Sequence, residues 1–310
     1  MKIVIMAGGK GTRIAQVNAT VPKPMIPIEG KPILEYQIET LKNQGYTDII
    51  LIVGHMGNVI QEYFGDGAEF GVQISYIIEE QPLGTAGALY FLKDEIKDDF
   101  LLLNGDIIFD VNIQKFLEYH CKQGTVATIL THPNSHPYDS GLIITDKFGS
   151  VEKWLAKEDE RPEYYRNRVN AGLHIISPTV LALSGIDADR VGTMGENGKP
   201  IKVDLDRQLL KPLAGTGKMF CYDSPEYVKD MGTPERYYSV CADYKAGRVS
   251  GKNLKNKQKA IFLDRDGTIN QYVGFLRDIN EFSLIDGVAD AIKKINVSGY
   301  LAIVVTNQPV

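Results

Sequence analysis

A stretch near the N-terminus carries residue types that can bind phosphate groups. The segment AGGKGTR, Ala7 to Arg13, places three glycines, Lys10 and Arg13 directly after the apolar run KIVIMA. Glycines in such a turn let backbone N–H groups converge on an anion, and the two cations suit a triphosphate. The segment matches neither the dinucleotide pattern G-x-G-x-x-G nor the G-x-x-x-x-G-K-[ST] pattern, so an ordinary strand-to-helix turn is the alternative interpretation.

Lys23 and Asp106 are the next candidates for chemistry. Pro22 and Pro24 flank Lys23, and their restricted backbone would hold this lysine stiffly in place. Asp106 ends the buried run LLLNGD, where the carboxyl edge of an α/β sheet usually binds ligands. A carboxylate there suits a Mg²⁺ ion that also contacts phosphate oxygens, although a residue that only caps the strand is the competing explanation. The small residues of LGTAGAL could let a flat base lie against the backbone.

The elements that must position these residues alternate between strand-like and helix-like runs. This alternation predicts an α/β fold with a doubly wound, mostly parallel, Rossmann-like sheet. The predicted strands are KIVIMA, DIILIVG, VQISYIIE, DFLLLNGD, VATILTH, AGLHIIS and KMFCYD. The predicted helices include KPILEYQIETLKNQG, VIQEYFGDG, GTAGALYFLKDEI and NIQKFLEYHCKQG. The polar segment WLAKEDERPEYYRNR is predicted to be a mobile insertion.

The predicted domain limits follow the change in composition near residue 246. Residues 1–245 form the first domain, and the Lys/Gly-rich residues 246–258 form a linker. Residues 259–310 then read as one strand–helix–strand unit of a second domain.

Composition narrows the class of protein. The 310 residues carry a formal net charge of −5 without a dense Lys/Arg block, which argues against nucleic acid as the main partner. The three cysteines are far apart, which argues against zinc and disulfides and predicts a reducing cytoplasm. The sequence shows neither a signal peptide nor an apolar run long enough to cross a membrane.

Seven motifs occur in an order that resembles the sugar-1-phosphate nucleotidyltransferases over about Met1 to Tyr244. They are AGGKGTR, PKPM, LGTAGAL, NGD, EKW, NAGLHI and DMGTPERY. The resemblance implies catalytic roles for Arg13 and Lys23, and a Mg²⁺ ion held by Asp106 and Asp230. The implied nucleotide-binding residues are Gly8, Gly9, Gly11, Thr12, Arg13, Gln81, Gly84 and Thr85. The implied sugar-phosphate-binding residues are Gly141, Glu152, Lys153, Asn170 and Gly172.

The sequence departs from this family pattern at two places. IAQVN follows Arg13 where the family usually has a leucine and a proline, a change that hardly affects the chemistry. The carboxylate expected near the sugar in KVDLDRQLL is ambiguous between Asp204 and Asp206.

A second resemblance begins at residue 259. FLDRDGTIN and VVTNQ are similar to the first two motifs of the haloacid-dehalogenase-like phosphatases, in the form found in heptose 1,7-bisphosphate phosphatases. The resemblance implies that Asp264 is the nucleophile, Asp266 the acid/base and Thr306 a phosphate ligand. That family also needs a later lysine and a later acidic pair. We therefore expect a truncated domain without phosphatase activity, and a natural protein that continues past Val310.

Together the two resemblances predict consecutive steps in nucleotide-sugar biosynthesis by a multifunctional cytoplasmic protein. The expected reaction joins GTP and D-glycero-D-manno-heptose 1-phosphate to give GDP-heptose and pyrophosphate, with Mg²⁺ as cofactor. Mannose 1-phosphate as acceptor, or uridylyl or thymidylyl transfer, is the alternative within the class. A non-catalytic regulatory subunit that binds sugar nucleotides is the alternative from another class. A homo-oligomer is left open.

Overall fold

The computed structural model describes residues 1–9, 11–14, 16–18, 20–93, 95–134, 141–195 and 198–308. The chain divides into two compact units, Met1–Val249 and Ser250–Val310. No helix in these described ranges is long and apolar enough to cross a membrane.

The first unit alternates strands and helices, as the sequence predicts. Its strands are β1 (Ile3–Met6), β2 (Pro27–Ile28), β3 (Lys31–Pro32), β4 (Asp48–Val53), β5 (Gln73–Ile78), β6 (Phe100–Asn104), β7 (Ile107–Asp110), β8 (Ala127–His132), β9 (Leu142–Thr145), β10 (Val151–Leu155), β11 (Val169–Ile176), β12 (Met219–Asp223) and β13 (Tyr227–Asp230). Its helices are α1 (Ile33–Lys42), α2 (Gly57–Phe64), α3 (Ile113–Gln123), α4 (Thr179–Leu183) and α5 (Pro234–Lys245).

Seven of these strands form the central sheet, in the order β12-β8-β11-β6-β1-β4-β5. Only β11 runs antiparallel to its neighbours β6 and β8, and the other described pairings in this sheet are parallel. The chain leaves β1 towards β4 and β5 on one side and then returns to β6 on the other. A doubly wound sheet binds ligands outside the carboxyl ends of its strands at such a switch point. The predicted fold class is confirmed.

The core lies on both faces of this sheet because its inner strands carry apolar residues at successive positions, such as Ile3–Ile5 and Ile49–Val53. In β1, Ile3 and Ile5 pack with residues of α1 and α3, whereas Val4 packs on the opposite face. A third apolar cluster lies beside the sheet and joins Ile14 to Met231 of the loop after β13. This cluster anchors the loop that carries Arg13 next to the end of β13, where Asp230 lies.

Two predictions of local structure were wrong. GTAGALYFLKDEI was predicted to be one long helix, but among its described residues only the 3₁₀ segment Gly87–Leu92 is helical. The backbone before it pairs instead with a distant segment, since Ala86 N donates to Val203 O at 2.9 Å. Trp154 belongs to β10 and is buried in the core, so the predicted mobile insertion does not begin there.

The second unit contains one β-α-β arrangement, as predicted. Strands β14 (Lys259–Leu263) and β15 (Tyr300–Val304) are parallel neighbours, and the helix α7 (Val288–Val297) connects them. The short helix α6 (Arg248–Gly251) lies within the predicted linker, and Val249 is buried in the third cluster of the first unit. The predicted domain limits stay a prediction.

Candidate active site

A cleft of about 900 Å³ opens at the carboxyl ends of the central strands of the first unit. The loops after β1, β4, β5 and β6 line it, as expected at the switch point of a doubly wound sheet. Its lining includes Gly8, Gly9, Gly11, Arg13, Lys23, Glu79, Gln81, Gly84, Thr85, Asn104, Asp106, Lys202 and Gly232. Most of the predicted nucleotide residues therefore share one cavity.

The glycine-rich loop after β1 approaches its surroundings too closely for side chains. A Cβ on Gly8 would lie 2.6 Å from Glu79 Oε2, and a Cβ on Gly11 would lie 2.9 Å from Lys23 Cβ. Gly11 also has a φ of +58°, in the left-handed region that favours glycine. Arg13 follows in a short 3₁₀ turn. Lys10 and the side chain of Thr12 lie outside the described part of the structure.

Lys23 is held rigidly at the floor of the cleft. It begins a 3₁₀ turn in which Met25 N donates to Pro22 O at 2.8 Å, and Pro24 and Met25 are buried. The proline rings fix φ at both flanking positions, so the local backbone has little freedom. The side chain is only 11% exposed, and its ammonium group forms an ion pair with the Asp106 carboxylate.

The two candidate metal ligands come from neighbouring strands. Asp106 immediately precedes β7 and Asp230 ends β13, which is antiparallel to β7. Met231 N donates to Asp106 O at 2.9 Å, so the two backbone segments adjoin. Arg236 donates to both carboxylate oxygens of Asp230, at 2.8 and 2.9 Å. Burial alone would raise the pKa of Asp230, but the hydrogen bond and charge of Arg236 outweigh it, so the pKa is lowered.

Gly232 marks the point where the charged groups converge. A Cβ there would lie 2.8 Å from Asp230 Oδ1, 3.7 Å from Lys23 Nζ and 3.8 Å from an Arg13 guanidinium nitrogen. Two cations and one carboxylate thus surround a space that a single methyl group would occupy. A phosphate group brought to this point would meet both positive charges at close range.

These carboxylates have the chemistry that a Mg²⁺ site requires. Mg²⁺ binds carboxylate oxygens, usually one or two from the protein with the remaining positions filled by water and substrate phosphates. Asp106 and Asp230 supply two such groups on adjoining strands. No group of three His, Cys, Asp or Glu residues that could hold a metal occurs in the described ranges, so phosphate oxygens would have to complete the site.

Gln81, Gly84 and Thr85 lie at the far side of the cleft, where two of their side chains tie down neighbouring loops. Gly84 has a φ of +90°. It packs so closely against the Val203 backbone that an added Cβ would lie 2.3 Å from Val203 O. Thr85 Oγ1 accepts a hydrogen bond from Leu205 N at 2.7 Å. Gln81 donates its amide to the backbone carbonyl of Gly192.

Glu79 is a cleft residue that sequence reasoning missed. Its Oε1 atom is buried and has no hydrogen-bond partner among the described residues. Burial raises the pKa of this carboxyl above its usual range, and only a hydrogen bond with the Leu83 backbone opposes the shift. An unpartnered buried acceptor is costly unless a ligand supplies a donor. Glu79 is the first residue after the apolar strand β5, and that position at the carboxyl edge of the sheet was the available signal.

The predicted sugar-phosphate residues lie on β10, on β11 and immediately before β9. Gly141 immediately precedes β9 and packs against Trp154, whose Nε1 would be 3.1 Å from an added Cβ. Glu152 and Lys153 are exposed on β10. Asn170 and Gly172 both lie on β11, where Gly172 packs against Asn104 with a φ of +79°.

The residues predicted for a phosphatase lie together in the second unit. Asp266 accepts hydrogen bonds from Arg265 at 3.0 Å, Gln308 at 2.8 Å and Asn270 at 3.2 Å. The hydrogen bond from Gln308 is the main reason that the pKa of Asp266 is lowered. Gln308 also donates to Thr306 Oγ1 at 2.6 Å, so it links Asp266 to Thr306. Asp264 Oδ1 accepts from Arg265 N at 2.7 Å.

The first unit is an α/β fold whose cleft combines a glycine-rich anion loop with two converging cations and two carboxylates. That combination defines a class of phosphate-handling proteins. The chain belongs to the nucleotidyl transferase family, whose model matches residues 2–247.

Similar proteins agree with this assignment. The mannose-1-phosphate guanyltransferase of Pichia angusta is 31% identical over 263 residues, which is 82% of this chain and 67% of that protein. The protein of the same name from Saccharomyces cerevisiae is 31% identical over 244 residues, covering 77% of this chain and 63% of its own length. The chain thus spans about two thirds of the length of these relatives.

Solved structures show the same fold. The crystal structure of HddC from Yersinia pseudotuberculosis has a TM-score of 0.62 and 26% identity, covering 78% of this chain and 99% of that one. A second crystal structure of HddC, complexed with GMP-PN, has a TM-score of 0.61.

Proposed function

We propose that the first unit transfers a guanylyl group from GTP to a sugar 1-phosphate and releases pyrophosphate. The observation that carries this proposal is the convergence of Arg13, Lys23 and Asp230 around Gly232, beside Asp106. Both reactants are polyanions, and their mutual repulsion is the main obstacle to reaction. A site that presents two cations at one point can offset this repulsion and stabilise the charge of the transition state.

The chemistry requires no protein base. An oxygen of the sugar phosphate attacks the α-phosphorus of the nucleotide, while the bond from that phosphorus to the bridging oxygen of pyrophosphate breaks. The attacking oxygen is already ionised near neutral pH, so no proton has to leave it. Lys23 is suited to the α-phosphate because it is rigid and nearly buried, and Arg13 is suited to the departing pyrophosphate beside the glycine-rich loop. When bound by Asp106 and Asp230, a Mg²⁺ ion supplies further positive charge for the phosphate oxygens.

Guanine is the base that we propose, with Glu79 as the candidate residue that contacts it. A carboxylate can accept two parallel hydrogen bonds, and guanine presents two adjacent donors on its Watson–Crick edge, N1–H and the N2 amino group. Uracil and thymine present a single ring N–H there, and adenine lacks the adjacent pair. The Leu83 backbone already bonds this carboxyl, and its Oε1 has no partner among the described residues, so a donor on the Watson–Crick edge of guanine could satisfy it. The guanyltransferase relatives and the HddC complex with GMP-PN favour the same base.

The sugar is the finer part of the proposal. D-glycero-D-manno-heptose 1-phosphate is supported by the second unit, whose FLDRDGTIN segment resembles heptose-bisphosphate phosphatases. Mannose 1-phosphate is the second candidate, because the curated relatives are named for it. The two sugars share the manno configuration of the ring and differ in the side chain at C5.

The test is a matrix of four nucleoside triphosphates against several sugar 1-phosphates, with pyrophosphate release measured in the presence of Mg²⁺. We expect the largest kcat/KM for GTP with heptose 1-phosphate, and a smaller value with mannose 1-phosphate. A larger value with mannose 1-phosphate would support the second candidate. Release with none of the pairs would instead favour a non-catalytic subunit that binds sugar nucleotides.

We expect the second unit to lack phosphatase activity in this chain. Asp266, the candidate acid/base, accepts hydrogen bonds from Arg265, Asn270 and Gln308, and it would have to exchange these partners before it could serve a substrate. Phosphate release from heptose 1,7-bisphosphate should therefore stay at the level of an Asp264→Asn variant. A clear excess of phosphate release by the unmodified chain would show that this arrangement is catalytically competent.

A further inference from the structure

Gln37 of α1 is a buried polar side chain that the proposed mechanism does not use. It is only 1% exposed, and it shares its side of the helix with the core residues Leu34 and Leu41. Its amide Nε2 donates to Asn104 O at 2.9 Å and to Ile107 O at 2.7 Å. Carbonyl oxygens only accept hydrogen bonds, so the amide nitrogen must be the atom that faces them.

The two carbonyl groups flank Gly105 and Asp106, which form the turn between β6 and β7. One amide nitrogen therefore fixes the separation between the two ends of this turn. Backbone hydrogen bonds hold the residues in between, since Gly105 N donates to Met6 O at 2.9 Å and Met231 N donates to Asp106 O at 2.9 Å. The side chain of Gln37 completes this set of restraints from inside the core.

The other atom of the same amide shows that packing is not its only role. Gln37 Oε1 is buried and has no hydrogen-bond partner among the described residues, which costs stability. Methionine has a similar length and would fill this space without a buried amide oxygen. The two donated hydrogen bonds are therefore what glutamine contributes here, and both end on the turn that carries Asp106.

The position of the Asp106 carboxylate depends on this turn. The carboxylate lines the cleft and forms an ion pair with Lys23. The turn lies directly against β1, because a Cβ on Gly105 would be 2.9 Å from Met6 O. A displacement of the turn would therefore move the carboxylate relative to both Lys23 and the glycine-rich loop that follows β1.

We propose that Gln37 is a positioning residue that sets the place of the Asp106 carboxylate and thereby the affinity of the cleft for Mg²⁺. The inference rests on the proposed function, in which Asp106 binds that ion. Gln37 does not line the cleft, and it acts only through the backbone at both ends of the turn. Groups that hold a metal ligand from behind typically contribute about 10- to 100-fold to metal affinity or activity.

The experiment compares the full chain with a Gln37→Met variant, which keeps the length of the side chain and removes both donors. Pyrophosphate release is measured with GTP and the best sugar 1-phosphate of the matrix over a range of Mg²⁺ concentrations. We expect the half-saturating Mg²⁺ concentration to rise about tenfold or more, with a smaller fall in kcat at saturating Mg²⁺. Hydrogen exchange needs no turnover, and the Gly105 amide should exchange faster in the variant.

Gln44→Met is the matched control, because Gln44 makes the same kind of contact away from the cleft. Its amide donates to Val111 O at 2.9 Å, just past the other end of β7, and its Oε1 accepts from Ile113 N at 2.9 Å. The control should lower Tm as Gln37→Met does. It should leave the Mg²⁺ dependence and the exchange of the Gly105 amide as in the wild type.

A role in stability alone gives a different result. It would lower Tm in both variants and leave the Mg²⁺ dependence unchanged, and that outcome would overturn the proposal even if the Gly105 amide exchanged faster. If Gln37→Met fails to fold, Gln37→Asn tests the same contact, because its amide is one methylene shorter and cannot keep both hydrogen bonds. An unchanged Mg²⁺ dependence in Gln37→Asn has the same meaning.

A direct binding measurement separates this inference from the proposed function. If the wild type turns over no sugar 1-phosphate, the proposed function fails, and calorimetry of GTP binding with and without Mg²⁺ decides the role of Gln37. A smaller gain in GTP affinity on adding Mg²⁺ in Gln37→Met than in the wild type would support that role. An equal gain in both proteins, or no gain in either, would count against it decisively.

Discussion

A single methyl group at Gly232 should separate catalysis from folding. The φ of Gly232 is not positive, so alanine can adopt the same backbone conformation. Its Cβ would nevertheless lie 2.8 Å from Asp230 Oδ1, and this oxygen must move by about 0.6 Å to reach an ordinary contact of 3.4 Å. Arg236 and the Gly232 backbone N–H both hold that carboxylate, so the displacement disturbs the group around it.

The expected magnitudes follow from this geometry. Catalytic groups must be held within roughly 0.5 Å, and a misplacement of about 1 Å costs on the order of 100-fold in rate. We therefore expect Gly232→Ala to lower kcat by about 10- to 100-fold, or about 1.4–2.7 kcal/mol in transition-state stabilisation. Glycine-to-alanine changes at compatible positions stabilise by about 0.4–1 kcal/mol, so Tm should shift by only a few degrees.

The assay is pyrophosphate release with GTP and the best sugar 1-phosphate of the matrix, together with thermal unfolding. Gly251→Ala serves as the control, because its Cβ would meet no atom within 4 Å and its φ is not positive. It should match the wild type in both measurements. Wild-type turnover by Gly232→Ala would refute the inference that the reacting phosphates occupy the space beside Gly232.

The remaining predictions concern individual charges. Asp106→Ala and Asp230→Ala should each abolish turnover at a cost of several kcal/mol while the fold is retained, because these carboxylates are the oxygen donors proposed for Mg²⁺; near-normal turnover with Mg²⁺ as the only metal would remove that residue from the mechanism. Lys23→Ala should reduce kcat far more than Lys10→Gln, since a cation already fixed by its surroundings needs no ordering in the transition state; equal losses would contradict the ranking. Glu79→Gln should lower kcat/KM for GTP about 10- to 100-fold and that for UTP much less, because an amide cannot accept both guanine donors. In the wild type, lowering the pH should raise KM for GTP, and this rise should begin at a higher pH than it would for a glutamate with an ordinary pKa. The reason is that burial raises the pKa of Glu79, so its carboxylate becomes protonated at a higher pH. A parallel fall for both nucleotides in Glu79→Gln would argue that Glu79 does not read the base.

The sequence alone determined the fold class and singled out two cations, Arg13 and Lys23, that line the cleft. Strands buried on both faces need nearly continuous apolar residues, so runs such as IILIV and FLLL identify a parallel sheet without tertiary information. The prolines around Lys23 act through their own covalent geometry, which is also readable from the sequence.

Only the tertiary structure decided which groups meet. Asp106 and Asp230 are far apart in the chain and become neighbours through the pairing of β7 with β13. Glu79 is an unremarkable glutamate in the sequence, and the loss of solvent around its Oε1 makes it a base-recognition candidate. GTAGALYFLKDEI was predicted to be a helix, yet Ala86 N bonds to Val203 O, a contact with a distant segment that no local pattern encodes. Asp204 and Asp206 likewise have different partners, because Asp204 accepts from the Arg207 backbone N–H and Asp206 accepts from the Asn170 side chain on β11. Burial and pairing depend on distant segments of chain, so a local pattern cannot specify them.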